Sequence, residues 1–342
     1  MDSELLNRFA AERDRYSLFT SSVENLIRRL CSDAGISVEI EARTKSVESL
    51  TEKVRRKNYG TLSDIPDLSG VRVIVQYTDD VERVCDILTT SLVIRDDDQH
   101  VFDAPDAFGY ASRHLVVQLD DDRASLPEWG SVKDLQCEIQ VRTILQHAWA
   151  SISHSLDYKN ETDVPRAIRR KLFQVAALIE VGDQLFEDFR TDLAEVRAEY
   201  SDQTGGGQWQ QLPVDVESLR ATWPMWDPAP VGHALAERGV HIADSDRAGA
   251  FAETDPEPQI LSEIADMAAS LRLRTIGALA DFVNDADTLD GFLDRFGAGT
   301  SSAYSTDYLA LLRLFDAIRE RELDMPATVE ASRHARSLVT DL

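Results

Sequence analysis

Residues 132–143 read VKDLQCEIQVRT, and the alternation inside this run sets the fold class. Glu138, Gln140 and Arg142 fall on one face while Ile139 and Val141 fall on the other, the period-two pattern of a half-buried strand. A strand is therefore expected over 132–141. From Arg142 the spacing becomes helical, with helices expected over 142–157 and 165–200 and Pro165 suited to the start of the second. Upstream, 36–43, 70–77 (GVRVIVQY) and 112–119 (SRHLVVQL) also have strand character, separated by a helical stretch near 80–90 and by acidic loops. An amphipathic helix over 4–30 opens the chain, with Leu5, Phe9, Tyr16, Phe19, Val23, Leu26, Ile27 and Leu30 at helical spacing and a turn at Ala34-Gly35. This order predicts an α/β (α+β) domain, a mixed sheet flanked by helices.

The segment 201–215, SDQTGGGQWQQLPVD, joins three glycines to polar residues and a proline, which is linker chemistry. The expected organisation is a first domain over 1–200, a linker over 201–215 and a mainly helical domain over 216–342. In the last, irregular Pro-rich sequence runs to about 257, followed by helical periodicity over 258–284, 288–296, 305–322 and 326–341. It carries no catalytic constellation. Its helices suit a plain packing domain, the ordinary reading, or else ligand sensing, autoinhibition or self-association.

With 61 acidic against 36 basic residues the 342-residue chain has a net charge of −25, a field that repels polyanions and excludes broad coating of nucleic acid. Cys31, Cys85 and Cys137 are odd in number and form no CxxC pair, which argues against a disulfide framework and a zinc site. No apolar leader or membrane-length apolar stretch is present, so a cytoplasmic protein without membrane contact is expected. Two basic runs, Arg43 to Lys57 and Arg166 to Lys171, stand out; each could be a solvated helix face or a phosphate-binding patch.

Four short segments of the first domain carry phosphate-type chemistry. Arg43-Thr-Lys45-Ser46, with Lys53 downstream, can surround a polyphosphate with charge-assisted hydrogen bonds. Asp67 stands just before a strand and Arg72 lies five residues on, near the same edge; strand-end acids are commonly caps. Tyr110, Ser112 and His114 alternate so that a ring, a hydroxyl and an imidazole share a face, and a tyrosine so presented can stack on a base. Glu138, Gln140 and Arg142 form the fourth group. Taken singly, each has an ordinary structural explanation; no P-loop GxxxxGK[ST] occurs, so phosphate binding must come from side chains.

Together they resemble the synthetase domain of the RelA/SpoT family, the alarmone synthetases, and its small members in particular. The resemblance runs from Arg43 to Lys159 through R-x-K-S, D-x-x-G-x-R-V, G-Y-x-S-x-H, E-I-Q-V-R-T and A-W-A-S-x-x-H-x-x-x-Y-K. It implies a nucleotidyltransferase-like fold and transfer of the β,γ-pyrophosphate of ATP to the 3′-hydroxyl of GDP or GTP, making (p)ppGpp and releasing AMP. It further implies adenine stacking on Arg43 and Arg72 and phosphate contacts from Lys45, Ser46 and Lys53. Asp67 is implied as a Mg2+ ligand, with Glu138 assisting the metal and taking the proton of the acceptor hydroxyl. Tyr110 would stack on the acceptor base, with Ser112, His114, Gln140 and Arg142 lining its site. Homo-oligomers also occur in the family.

The sequence departs from the family at Asp106 and Phe108, where a lysine and an asparagine are usual before the stacking tyrosine. An anion there opposes a diphosphate acceptor by about 1 kcal/mol or more. This admits a second acceptor, the 3′ end of tRNA, as in toxic small alarmone synthetases, with Arg166 to Lys171 available for its backbone; an adenosine nucleotide is a third. Only 42 residues precede Arg43, too few for a metal-dependent hydrolase domain, so synthesis without hydrolysis is expected. The alternative of another class is a non-catalytic nucleotide-sensing module.

Overall fold

The structure is a computed structural model that describes residues 2–57, 59–100, 112–155, 166–223, 237, 258–296 and 306–331. The chain divides into two compact units, Met1–Arg190 and Thr191–Leu342.

In the first unit, α1 (Asp2–Asp33) buries Phe9, Phe19, Val23 and Ile27 along one stripe, as the spacing predicts. Gly35 ends it at φ +67°, a left-handed conformation that glycine adopts without steric cost. Then follow β1 (Val38–Thr44), α2 (Val47–Arg56), β2 (Ser69–Val75), α3 (Thr78–Ser91), β3 (Val93–His100), β4 (Ser112–Gln118), the single turn α4 (Asp121–Ala124), β5 (Cys137–Thr143), α5 (Ile144–Ser155) and α6 (Arg166–Gly205). The five strands form one sheet in the order β1-β2-β5-β4-β3. Only β2 and β5 run parallel among neighbours; the other pairs are antiparallel. Val71, Val73 and Val75 of β2, Ile139 and Val141 of β5, and Leu115 and Val117 of β4 join one core with α1 and with Val84, Cys85 and Leu88 of α3. Pleating therefore turns the intervening residues to the opposite face, where the polar chemistry lies.

In this unit three details differ from the sequence expectation. The strand expected over 132–141 begins at Cys137, because Val132 and Leu135 reach the core from a turn instead. The acidic loop before Ser112 contains the strand β3, VIRDDDQH, a sheet edge. Its aspartates suit an edge, where charge blocks pairing with another chain, and Arg113 holds Asp97 through two bonds of 2.8 and 2.7 Å. Finally, residues 201–205 of the expected linker are the last turn of α6.

The second unit packs α7 (Val216–Thr222), α8 (Pro258–Ser270), α9 (Ile276–Asn284), α10 (Ala286–Phe296), α11 (Thr306–Glu320) and α12 (Ala327–Ala331) around Leu261, Ile264, Leu279, Phe292 and Leu314. The helix expected over 258–284 is two, since Arg272 adopts φ 61° and Thr275 caps α9 by accepting from Ala278 N at 3.2 Å. Most of the irregular sequence expected up to 257, and the tail from 332, lies outside the described residues. Among the described residues no helix is long and apolar enough to cross a membrane.

Candidate active site

Strand registers bring the sequence motifs into rows across the polar face of the sheet. Arg43 opposes Gly70, which opposes Glu138, and Val116 follows on β4. In the next row Glu41 opposes Arg72, Arg72 opposes Gln140, Gln140 opposes His114 and His114 opposes Asp98. Arg142 lies one row beyond, level with Ile74. Segments 16 to 99 residues apart in sequence thus meet because one face must be apolar and the other is left for chemistry.

At one end, Asp67 sits in a short 3-10 turn begun by Pro66, just before β2. Lys45, buried at the end of β1, ion-pairs with its Oδ2, and Lys53 Nζ of α2 lies 2.8 Å from Oδ1. Ser46 caps α2, its hydroxyl accepting from Ser49 N at 3.1 Å, and the cap aims the lysines of the following turns. Burial pushes the Asp67 carboxyl up, but Lys45 and Lys53 outweigh it and hold the group below the usual carboxylate range. Burial likewise opposes the charge on Lys53, yet Asp67 raises its pKa overall.

Beside it, Gln140 Nε2 donates to Glu138 Oε2 at 3.3 Å, and His114 Nδ1 stands 3.7 Å from Glu138 Oε1. With the Nδ1 proton toward Glu138, His114 Nε2 accepts from the Ser112 hydroxyl at 2.9 Å. Arg72 Nε donates to Gln140 Oε1 at 3.4 Å and Arg72 Nη1 to Glu41 Oε2 at 3.1 Å. Burial raises the Glu138 carboxyl; His114 and Gln140 outweigh burial and the nearby Asp67, leaving it lowered and ionised at neutral pH.

Two carboxylates thus feel each other across a site rich in donors. Among the described residues no cluster of three or more His, Cys, Asp or Glu could cage a metal. The pair fits Mg2+ nonetheless, since that ion commonly takes one or two protein carboxylates and completes its shell with water and substrate phosphates.

The structure brings together Lys45, Lys53 and Asp67, and separately Arg72, Ser112, His114, Glu138 and Gln140. Among the described residues Arg43 is exposed on β1 without a hydrogen bond or ion pair, and Arg142 is buried apart from the others. Tyr110, Asp106 and Phe108 lie outside the described residues. Three participants were not singled out from sequence. Glu41 stands two residues before Arg43 on the same strand face, a signal that alternation carries. Tyr59 is buried, with the ammonium groups of Lys53 and Lys57 5.9 and 5.7 Å from its ring centre. His147 of α5 approaches Glu41 at 3.9 Å, a contact that no local pattern announces. The end of β5 is fixed from α6, where Asp183 accepts from Thr143 Oγ1 at 2.8 Å.

The stretch of chain that carries these residues is similar to known proteins. Residues 42–163 match the family model described as the region found in RelA / SpoT proteins. Over 175 residues the chain is 28% identical to the GTP pyrophosphokinase YjbM of Bacillus subtilis, covering 50% of this chain and 80% of that protein. It is 29% identical over 150 residues to YwaC, a GTP pyrophosphokinase of the same organism, covering 42% and 69% respectively. A solved GTP pyrophosphokinase family protein from Streptococcus pneumoniae is 29% identical, covering 55% of this chain and 96% of that one, with a TM-score of 0.47. The five motifs between Arg43 and Lys159 fall wholly within the matched span, and over residues 42–163 this chain is similar to the region found in RelA / SpoT proteins.

Proposed function

We propose that the first unit transfers the β,γ-pyrophosphate of ATP to the 3′-hydroxyl of GDP or GTP, making (p)ppGpp and releasing AMP. The observation that carries this reading is the meeting, on one sheet face, of a lysine-held Asp67 with a Glu138 held by Gln140 and flanked by His114, inside a region similar to GTP pyrophosphokinases.

The acceptor O3′ forms a bond to Pβ while the bridge between Pα and Pβ breaks, and its electron pair leaves on AMP. Such transfer needs alignment and charge stabilisation rather than a covalent nucleophile. Lys45 and Lys53 bind the migrating phosphates, Ser46 adds a hydroxyl at the start of α2, and Arg43 and Arg72 flank the adenine. Ionised Glu138 accepts the proton of the 3′-hydroxyl, oriented by Gln140 and His114. Asp67 and Glu138 would hold Mg2+, which when bound neutralises charge developing on the phosphate oxygens. Tyr110 stacks on the acceptor base, and Ser112 and Arg142 line its site.

A second acceptor is favoured by one observation. Asp98 is exposed directly opposite His114 on the polar face, with Asp96 beside it in the adjoining row. Carboxylates on that flank oppose a polyphosphate and suit the hydroxyls of a tRNA 3′ end.

Incubation with γ-labelled ATP and GDP, GTP, ATP or deacylated tRNA separates these readings. Label on a guanosine nucleotide supports the first, label on tRNA the second, and label on none leaves a nucleotide-sensing module. Glu138→Gln should lower transfer by about 10²–10⁴-fold while ATP still binds; retained turnover would remove Glu138 from the role of base. Self-association is supported by Leu178, Leu185 and Phe189, apolar and exposed on α6; Phe189→Asp should lower the mass seen by light scattering if copies pair there.

A further inference from the structure

Among the described residues Arg142 is a buried cation without a hydrogen-bond or ion-pair partner. The residue is only 7% exposed, and its Nε is buried with no hydrogen-bond partner. The neighbouring cation Arg72 is already committed to Glu41 and Gln140. Burial and Arg72 both disfavour the charge on Arg142, against which Glu41 offers partial relief. From the other side His147 of α5 brings Nε2 to 3.9 Å from Glu41, while its Nδ1 is buried with no partner. Two guanidinium groups and an imidazole therefore share one carboxylate, in a chain whose net charge is −25. An unpaired buried charge is strongly unfavourable, and among the described residues no second carboxylate bonds to it.

We infer that Arg142 and His147, with Arg72 beside them, form a second anion subsite for a phosphate-class ligand, separate from the lysine-held position at Asp67. Arg142 is level with Ile74, four strand residues or roughly 13 Å along β2 from Gly70 at the usual rise, and Asp67 lies before Gly70, so one phosphate group cannot occupy both positions. Arg142 supplies its Nε–H in a dry setting where a charge-assisted bond is strong. Glu41 is about half exposed and is free to turn toward solvent when an anion arrives. The phosphate-class ligand has two sources, free orthophosphate or pyrophosphate, and the 5′-phosphates of a nucleotide.

The inference rests on the proposed function only for the second source, and its test needs no turnover. In the full-length Lys45→Met/Lys53→Met variant, which silences the lysine position, isothermal titration with pyrophosphate should show one site per chain. Adding Arg142→Met should weaken it about 10- to 100-fold, adding His147→Phe should weaken it less, and Arg142→Lys should recover part of the affinity. Unchanged melting and circular dichroism identify the variants that fold; should Arg142→Met fail to fold, His147→Phe carries the test. Competition by GDP but not guanosine assigns the subsite to nucleotide phosphates, whereas pyrophosphate binding indifferent to GDP assigns it to the free anion. Pyrophosphate affinity unchanged in the Arg142 and His147 variants, or no binding once the lysines are gone, overturns the inference. A chain without transfer activity that still shows Arg142-dependent binding would sink the proposed reaction and leave the subsite standing.

Discussion

Lys53 reaches from α2 to within 2.8 Å of Asp67 Oδ1, while Lys45 holds the other oxygen. The carboxylate proposed as a metal ligand is thus neutralised by two ammonium groups that are themselves proposed to bind phosphate. A divalent ion arriving alone must displace both cations without giving them a new partner; arriving with a triphosphate, it exchanges partners. Binding of the ion and nucleotide should therefore be coupled. Titration with Mn2+ followed by electron paramagnetic resonance should show weak binding alone and at least about tenfold tighter binding with a non-hydrolysable ATP analogue, a coupling of about 1.4 kcal/mol or more. Lys53→Met should raise the affinity for Mn2+ alone and lower that for the analogue. Equal Mn2+ affinity with and without nucleotide would refute the exchange.

Much of this site was legible because period-two alternation places side chains without knowledge of the whole fold. Glu138, Gln140 and Arg142 share a face in the sequence and share it in β5. The ion pairs were not legible, since Lys45, Lys53 and Asp67 meet only through the β1-β2 register and the cap at Ser46. Strand β3 escaped for a different reason: three consecutive aspartates have poor strand propensity, and only Arg113 opposite and the exposed edge position make them acceptable. His147 escaped because a helix places it over Glu41, a strand residue more than a hundred positions earlier.

The Arg113–Asp97 pair at that edge gives a pH prediction. Two guanidinium bonds hold the Asp97 carboxyl below its usual range, with burial only partly opposing them. Its folded pKa lies below the unfolded value of about 3.9, so its contribution is full above that value and is lost as pH falls through the folded one. In urea titrations the wild type should exceed Asp97→Asn in stability at pH 7, with the gap closing below about pH 4. A gap that widens in acid would reverse the assignment. Hydrogen exchange of the β3 amides should report the loss first, because an edge strand has one neighbour.

The cysteines supply a test of burial. All three are free and buried; burial pushes the Cys85 thiol up to about 12 and raises Cys31 and Cys137 as well. A thiolate is the reactive species, so an aromatic disulfide reagent at pH 8 should label none of them rapidly in the native chain. All three should react in denaturant. Rapid native labelling of Cys137, whose neighbour is Glu138, would mean that β5 opens far more readily than its two-sided pairing suggests.

The second unit is pinned by Arg313. From α11 its guanidinium donates to the carbonyls of Phe282 and Val283 at 3.1 and 3.3 Å, to Thr288 O at 3.1 Å and to Thr288 Oγ1 at 2.9 Å. It also stands 5.3 Å from the ring centre of Phe292. The carbonyls at the end of α9 run out of regular helical partners, Phe282 O keeping only a 3.4 Å bond from Asp285 N, and a planar guanidinium can serve several at once where an ammonium cannot. Arg313→Met should cost about 2–4 kcal/mol, through buried acceptors left unsatisfied, and Arg313→Lys should lie between it and wild type. The readout is local: hydrogen exchange of the α9 and α10 amides should accelerate in both variants while that of the β2 and β5 amides stays fixed. If the Met variant protects α9 and α10 as well as wild type does, the arginine is not what holds the α9–α10 corner, and packing around Phe282 and Phe292 must suffice.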